Sequence, residues 1–139
     1  MRALTAPLEE LGELDEIKKQ LKKKDGCVSL TGCVESQKVH MIYGLSEGCK
    51  NRLIITFSDL RVKDLLEDCR FYDRNAMSYP AKDLIFYQAD IHGNQLVTER
   101  IRCLRRMLEG KPVTVVTTLS GNLQKICEHS QKGALNLAE

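Results

Sequence analysis

Four short apolar runs recur along the 139 residues at intervals wide enough to hold a helix: Cys27 to Thr31, Leu53 to Phe57, Asp83 to Tyr87 (through Leu84, Ile85 and Phe86), and Val113 to Thr118. Each has the length and the β-branched or aromatic content of a strand. Between them Val39, Ile42 and Tyr43, then Leu60, Val62, Leu65, Leu66 and Cys69, then Val97, Ile101, Leu104 and Leu108 repeat with the spacing of one helix face. This β-α-β-α-β-α-β order predicts an α/β domain, a mostly parallel sheet in three layers. Parallel strands need crossover connections, and right-handed crossovers lay their helices over the faces of the sheet.

Ahead of this rhythm, Leu14, Ile17 and Leu21 mark a helix with Glu13, Asp15 and Glu16 at its start and a lysine run, Lys18 to Lys24, toward its end, as the helix dipole favours. Asp25-Gly26 stops it. Gly12 separates it from a shorter helix beginning near Pro7, proline being welcome in a first turn. Residues 1–25 are therefore expected to be an N-terminal helical segment, 26–120 the α/β domain, and 121–139 a tail of uncertain assignment. Residues 73–80 and 88–94 read as the long irregular pieces. With 32–37 they would form the rim at the carboxyl ends of the strands, where parallel sheets bind ligands.

A composition of 42% hydrophobic and 29% charged residues fits one globular domain. Lys plus Arg number 21 and Asp plus Glu 19, so the formal charge of +2 lacks the excess of a dedicated nucleic-acid binder. No apolar run approaches the roughly 18 residues of a membrane span. Met1-Arg2-Ala3-Leu4, followed by Glu9 and Glu10, lacks a secretory apolar segment, and a cytoplasmic location is expected. The six cysteines, Cys27, Cys33, Cys49, Cys69, Cys103 and Cys127, include no C-x-x-C pair. Scattered thiols in a reducing compartment read as small apolar core residues, so no metal site is expected.

Thr31-Gly32-Cys33-Val34-Glu35-Ser36-Gln37-Lys38-Val39-His40 stands between an expected strand and an expected helix, where a phosphate-binding loop would sit. Against G-x-x-x-x-G-K-[ST], Gly32 and Lys38 match, but Gln37 replaces the second glycine and Val39 the magnesium-binding hydroxyl. Glu35 adds a negative charge where polyphosphate would lie. Gly32 and Lys38 are thus remnants of a degenerate loop, and neither cofactor binding nor catalysis is expected of this chain. The acidic pair that would activate water is missing as well.

Three further segments make the pattern specific. Leu30-Thr31-Gly32 before a helix, Arg61 to Tyr72 (RVKDLLEDCRFY) after the second apolar run, and Thr98 to Leu108 (TERIRCLRRML) before Val115-Val116-Thr117-Thr118 resemble the N-terminal region of the bacterial transcription-repair coupling factor, over residues 8 to about 120. The resemblance implies a module similar to excinuclease B, a P-loop NTPase or helicase-like domain whose nucleotide loop has decayed. It implies a non-catalytic part of the machinery that recruits nucleotide-excision repair to stalled RNA polymerase. In that family the partners are excinuclease A, RNA polymerase and double-stranded DNA, and ATP with magnesium serves a translocase motor further along. The chain stops before those elements, so it is expected to bind these partners weakly or not at all.

Arg100, Arg102, Arg105 and Arg106 are the candidate partner contacts, since an apolar face of Val97, Ile101, Leu104 and Leu108 would turn them outward. Glu99 and Glu109 are nearby counter-charges. His40, in a helix, and His92, in a loop, have no Cys or Ser at catalytic spacing. Tyr72, Tyr79, Phe86 and Tyr87 read as core or rim packing, not being interleaved with basic residues. Two other functions remain alternatives: an active P-loop nucleotide hydrolase and a small nucleic-acid-binding domain.

Overall fold

The most β-branched stretch of the chain, Val113–Thr118, is the middle strand of a parallel three-stranded sheet in the computed structural model, which describes residues 2–81 and 92–119. In chain order the elements are α1 (Arg2–Glu9), α2 (Leu14–Leu21), α3 (Glu35–Leu45), β1 (Asn51–Thr56), α4 (Asp59–Tyr72), β2 (Ala76–Tyr79), α5 (His92–Leu108) and β3 (Val113–Thr118). They fall into two compact units, one within Met1–Cys49 and the other within Lys50–Gln131. The division comes after α3, whereas the sequence predicts one at residue 25.

In the second unit the strand order is β1-β3-β2. β1 pairs with β3 from Asn51 opposite Val113 to Thr56 opposite Thr118, and β2 pairs with β3 from Ala76 opposite Thr114 to Tyr79 opposite Thr117. The chain crosses from β1 over β3 to β2 through α4, then returns to the middle through α5. Right-handed crossovers moving in opposite directions put their helices on opposite faces. Packing agrees, for Val113, Val115 and Tyr79 cluster with Cys103, Leu104 and Met107 of α5. Strand alternation turns Thr114 and Val116 toward α4, which contributes buried Val62, Leu65, Leu66 and Cys69. All six residues of β3 are buried. The mixed α/β class and the parallel sheet are therefore as the sequence predicts, and the expected strands at 53–57 and 113–118 correspond to β1 and β3.

Several expectations need correction. Residues 27–31 do not form the strand that their apolar run predicts: they carry no ladder, and Leu30 packs instead with Leu8, Leu14 and Leu45 of the helical unit. Conversely, β2 lies within the 73–80 segment read as irregular. Tyr79 and Ala76 are buried, Thr117 Oγ1 donates to the Tyr79 carbonyl at 2.7 Å, and Thr114 Oγ1 donates to Asp73 Oδ2 at 2.9 Å. Those hydroxyls on β3 hold a stretch whose own sequence carries little strand signal. The expected strand at 83–87 and the tail at 121–139 lie outside the described residues. His92 opens α5 and is not in a loop, and Pro7 sits inside α1 instead of beginning it.

The first unit is a helical cluster. Leu8, Leu14 and Leu45 form its buried centre, with Ile17, Leu21, Leu30 and Met41 around them. Gly44 permits the approach of α1 to α3, because a methyl group there would come within 2.3 Å of Leu8 Cδ1. The His40 ring, Nε2–H donating, reaches the Leu4 carbonyl at 2.6 Å and ties the same two helices together. His40 is thus a structural tie, in keeping with its lack of a catalytic partner in the sequence.

Candidate functional site

Two places were singled out by sequence: the 32–39 loop in the helical unit and the arginines of α5 in the sheet unit. At the loop, Gly32 takes a φ of +77°, a left-handed conformation that costs glycine nothing, and the chain enters α3 at Val34. No strand precedes it. Gln37, in place of the second glycine, folds back so that its Oε1 accepts from the Val34 N–H at 3.3 Å. Lys38 Nζ donates to Glu35 Oε1 at 2.9 Å. Val39 is 1% exposed and presents no oxygen to a metal.

The three departures thus act together. Glutamine stiffens the turn from within, glutamate takes the lysine, and valine commits the next position to the core. An incoming phosphate would have to displace Glu35 from Lys38 while facing its charge, and would meet a helix start that already carries an acidic residue.

On α5 the four candidate arginines separate into three environments. Arg100 is partly buried: its NH2 donates to the Tyr79 hydroxyl at 2.8 Å, its NH1 donates to the Pro80 carbonyl, and its guanidinium carbon lies 4.1 Å from the centre of the Tyr79 ring. It fastens the end of β2. Arg105 pairs with Glu109 through Nε at 2.9 Å, and Lys111 approaches the same carboxylate at 2.7 Å. Hydrogen bonds from Lys111 and Arg105 hold the Glu109 carboxyl below its ordinary range. Arg106 donates from Nε to the Pro112 carbonyl at 3.1 Å, and it lines a groove with exposed Arg102.

The apolar stripe expected to bury α5 is not the buried one. Val97 is exposed, as are Ile101 (59%) and Leu108 (74%), while Arg100, Cys103, Leu104 and Met107 face the sheet. Arg100, Cys103 and Met107 each precede an expected position by one residue, about 100° around the helix, and Leu104 sits at the boundary, touching both the core and the outer side. Cys103, at 0% exposure, is small enough to bring the helix close to Val113 and Val115, and the guanidinium of Arg100 lies over the Tyr79 ring. Ile101, Leu104 and Leu108 therefore line a shallow depression on the outer side of α5 with Arg105 and Glu109.

Among the described cysteines only Cys69 and Cys103 are in the core; Cys27 and Cys49 are exposed and Cys33 is partly so. That corrects the expectation of core thiols throughout, and Cys127 lies outside the described residues. Burial pushes the Cys103 thiol up to about 11 against a small opposing pull from Arg100, so it is a neutral packing group near neutral pH. Burial and, to a lesser degree, the Asp68 charge raise the Tyr72 hydroxyl. Tyr72 stacks edge-on to Phe71 at 5.5 Å, and Tyr79 is in the core, both as packing residues. Phe86 and Tyr87 fall outside the described residues.

Among the described residues there is no cluster of His, Cys, Asp or Glu arranged to hold a metal ion, and no helix is long and apolar enough to cross a membrane. No family model, curated protein or solved structure matches the chain.

Proposed function

We propose that this chain is a non-catalytic, P-loop NTPase or helicase-like domain of a bacterial transcription-repair coupling factor, part of the cytoplasmic module that recruits nucleotide-excision repair proteins to stalled RNA polymerase. The pairing inside the 32–39 loop carries the proposal: Lys38 is occupied by Glu35, and buried Val39 stands where a magnesium-binding hydroxyl belongs. Three of the four segments that resemble the family fall within regular elements, while Leu30-Thr31-Gly32 lies in none. Arg61 to Tyr72 belongs to α4, Thr98 to Leu108 to α5, and Val115 to Thr118 to β3. ATP and magnesium then serve the motor of the whole protein. Excinuclease A, RNA polymerase and double-stranded DNA are its partners, and this part alone binds them weakly or not at all.

Calorimetric titration with a non-hydrolysable ATP analogue and magnesium is expected to show no heat above dilution, for the parent and for a Gln37→Gly, Val39→Thr double variant alike. Removing Gln37 leaves Lys38 still paired with Glu35, so the double change does not rebuild a cradle. A micromolar dissociation constant for the parent would revive the nucleotide hydrolase. The repair role is tested by a chimera in which residues 8–120 replace the corresponding segment of a coupling factor. Preferential repair of the transcribed strand should persist, and its loss with DNA translocation intact would overturn the assignment.

A further inference from the structure

The outer edge of β2 lies in a groove of about 560 Å³, walled by α4 on one side and α5 on the other. Among the described residues no strand pairs with this edge. The Tyr79 carbonyl is turned toward β3, where Thr117 Oγ1 donates to it, so the alternation of an extended strand directs the peptide N–H and C=O of Ser78 outward. A strand edge of this kind is a template for another extended chain.

The charges of the groove are arranged unevenly. Lys63, Arg70 and Arg74 come from α4 and the turn after it, Arg102 and Arg106 from α5, against Asp59 and Glu99 as the acidic members. Both helices run antiparallel to β2. Asp59, at the start of α4, and Glu99, which accepts from Ser78 Oγ at 2.9 Å, therefore lie toward the carboxyl end of the strand. Arg70, Arg74 and Arg106 lie toward its amino end, where Arg106 also reaches the carbonyl of Pro112 just before β3. Among the described residues Arg70, Arg74 and Arg102 have no ion-pair or hydrogen-bond partner.

We infer that this groove is a docking surface for an extended acidic peptide segment of a partner protein, which adds to the edge of β2 as a strand and seats its carboxylates on Arg70, Arg74, Arg102 and Arg106. Two features favour polypeptide over nucleic acid. An edge strand offers donors and acceptors alternately; a peptide backbone answers both, whereas a phosphodiester chain supplies acceptors alone. Moreover, Asp59 and Glu99 would repel a backbone charged at every step, while a peptide can carry its acids at one end only. The arginine forks bind carboxylates in pairs of parallel hydrogen bonds, which adds register to the attraction.

Fluorescence anisotropy tests this with a short labelled peptide carrying consecutive glutamates in one half and alternating Thr and Val in the other, the same peptide N-methylated at alternate residues, and an oligothymidylate of similar length, at about 0.15 M salt. The first peptide should bind saturably. Binding should weaken at least about tenfold for a protein carrying Arg70→Glu and Arg74→Glu, both exposed and remote from the core, and by a similar factor for the N-methylated peptide against the unaltered protein. The second comparison needs no change to the fold. Absence of saturable peptide binding overturns the inference, and so does equal binding of the N-methylated peptide, which would reduce the groove to a diffuse charge effect. Tighter binding of the oligothymidylate than of the peptide overturns it in favour of a nucleic-acid surface.

Discussion

Arg100→Ala is expected to destabilise the sheet unit by about 2–4 kcal/mol, while Arg105→Ala, on the same helix, leaves the unfolding midpoint unchanged within error. Both remove one guanidinium. Arg100→Ala removes a charged hydrogen bond to the Tyr79 hydroxyl, another to the Pro80 carbonyl, and the guanidinium's contact with the Tyr79 ring. Arg105 is largely exposed, and its partner Glu109 keeps Lys111. Tyr79→Phe should cost about 1 kcal/mol, because the ring remains buried and only the hydroxyl's bond is lost. Urea titrations of the three variants separate these cases. Equal effects at positions 100 and 105 would return α5 to a helix carrying four equivalent surface arginines.

Stability should also fall at alkaline pH, by about 2 kcal/mol between pH 9 and pH 11, through Cys103. Burial raises this thiol from 9.0 to about 11, so the native state holds its proton where the unfolded chain releases it. The stabilisation is therefore present below about pH 9 and is lost as pH climbs through about 11, at up to about 1.4 kcal/mol for each tenfold fall in proton activity. Cys103→Ala tests the source. It should lower stability at pH 7 through lost packing beside Val113 and Val115, yet flatten the decline between pH 9 and pH 11. Tyr72 is raised too, and Tyr72→Phe in both backgrounds isolates its share. An alkaline slope that survives Cys103→Ala undiminished would place the titrating group elsewhere.

The 32–39 loop was half legible. That Gln37 and Val39 break the phosphate-loop pattern is a matter of residue identity, and the sequence states it without help. That Lys38 turns to Glu35 is a local i, i+3 contact on a helix, available in principle from the spacing. The missing strand before the loop was not foreseeable. Cys27 to Thr31 has strand-like content, but a strand needs a neighbour, and the helices of the first unit offer Leu30 an apolar surface instead. The basic groove was harder still, since Arg70 and Arg74 meet Arg102 and Arg106 only because α4 and α5 flank the same edge. No spacing along the chain records that meeting.

What the sequence determined by itself are the elements whose signal is local and strong: the β-branched runs of β1 and β3, the existence of helices α2 to α5, and from their order a parallel sheet with crossover helices. Tertiary structure decided what depends on partners. Ala76-Met77-Ser78-Tyr79 is a strand because Thr114 and Thr117 of β3 anchor it, although Asn75 before it and Pro80 after it read as a turn. The rotation of α5 was decided in the same way. Val97, Ile101, Leu104 and Leu108 make the more hydrophobic stripe, but Arg100, Cys103, Leu104 and Met107 make the one that fits, because a small thiol lets the helix approach β3 and an arginine can close over Tyr79. Hydrophobicity along a helix ranks its faces, whereas close packing and satisfied hydrogen bonds select which face is buried.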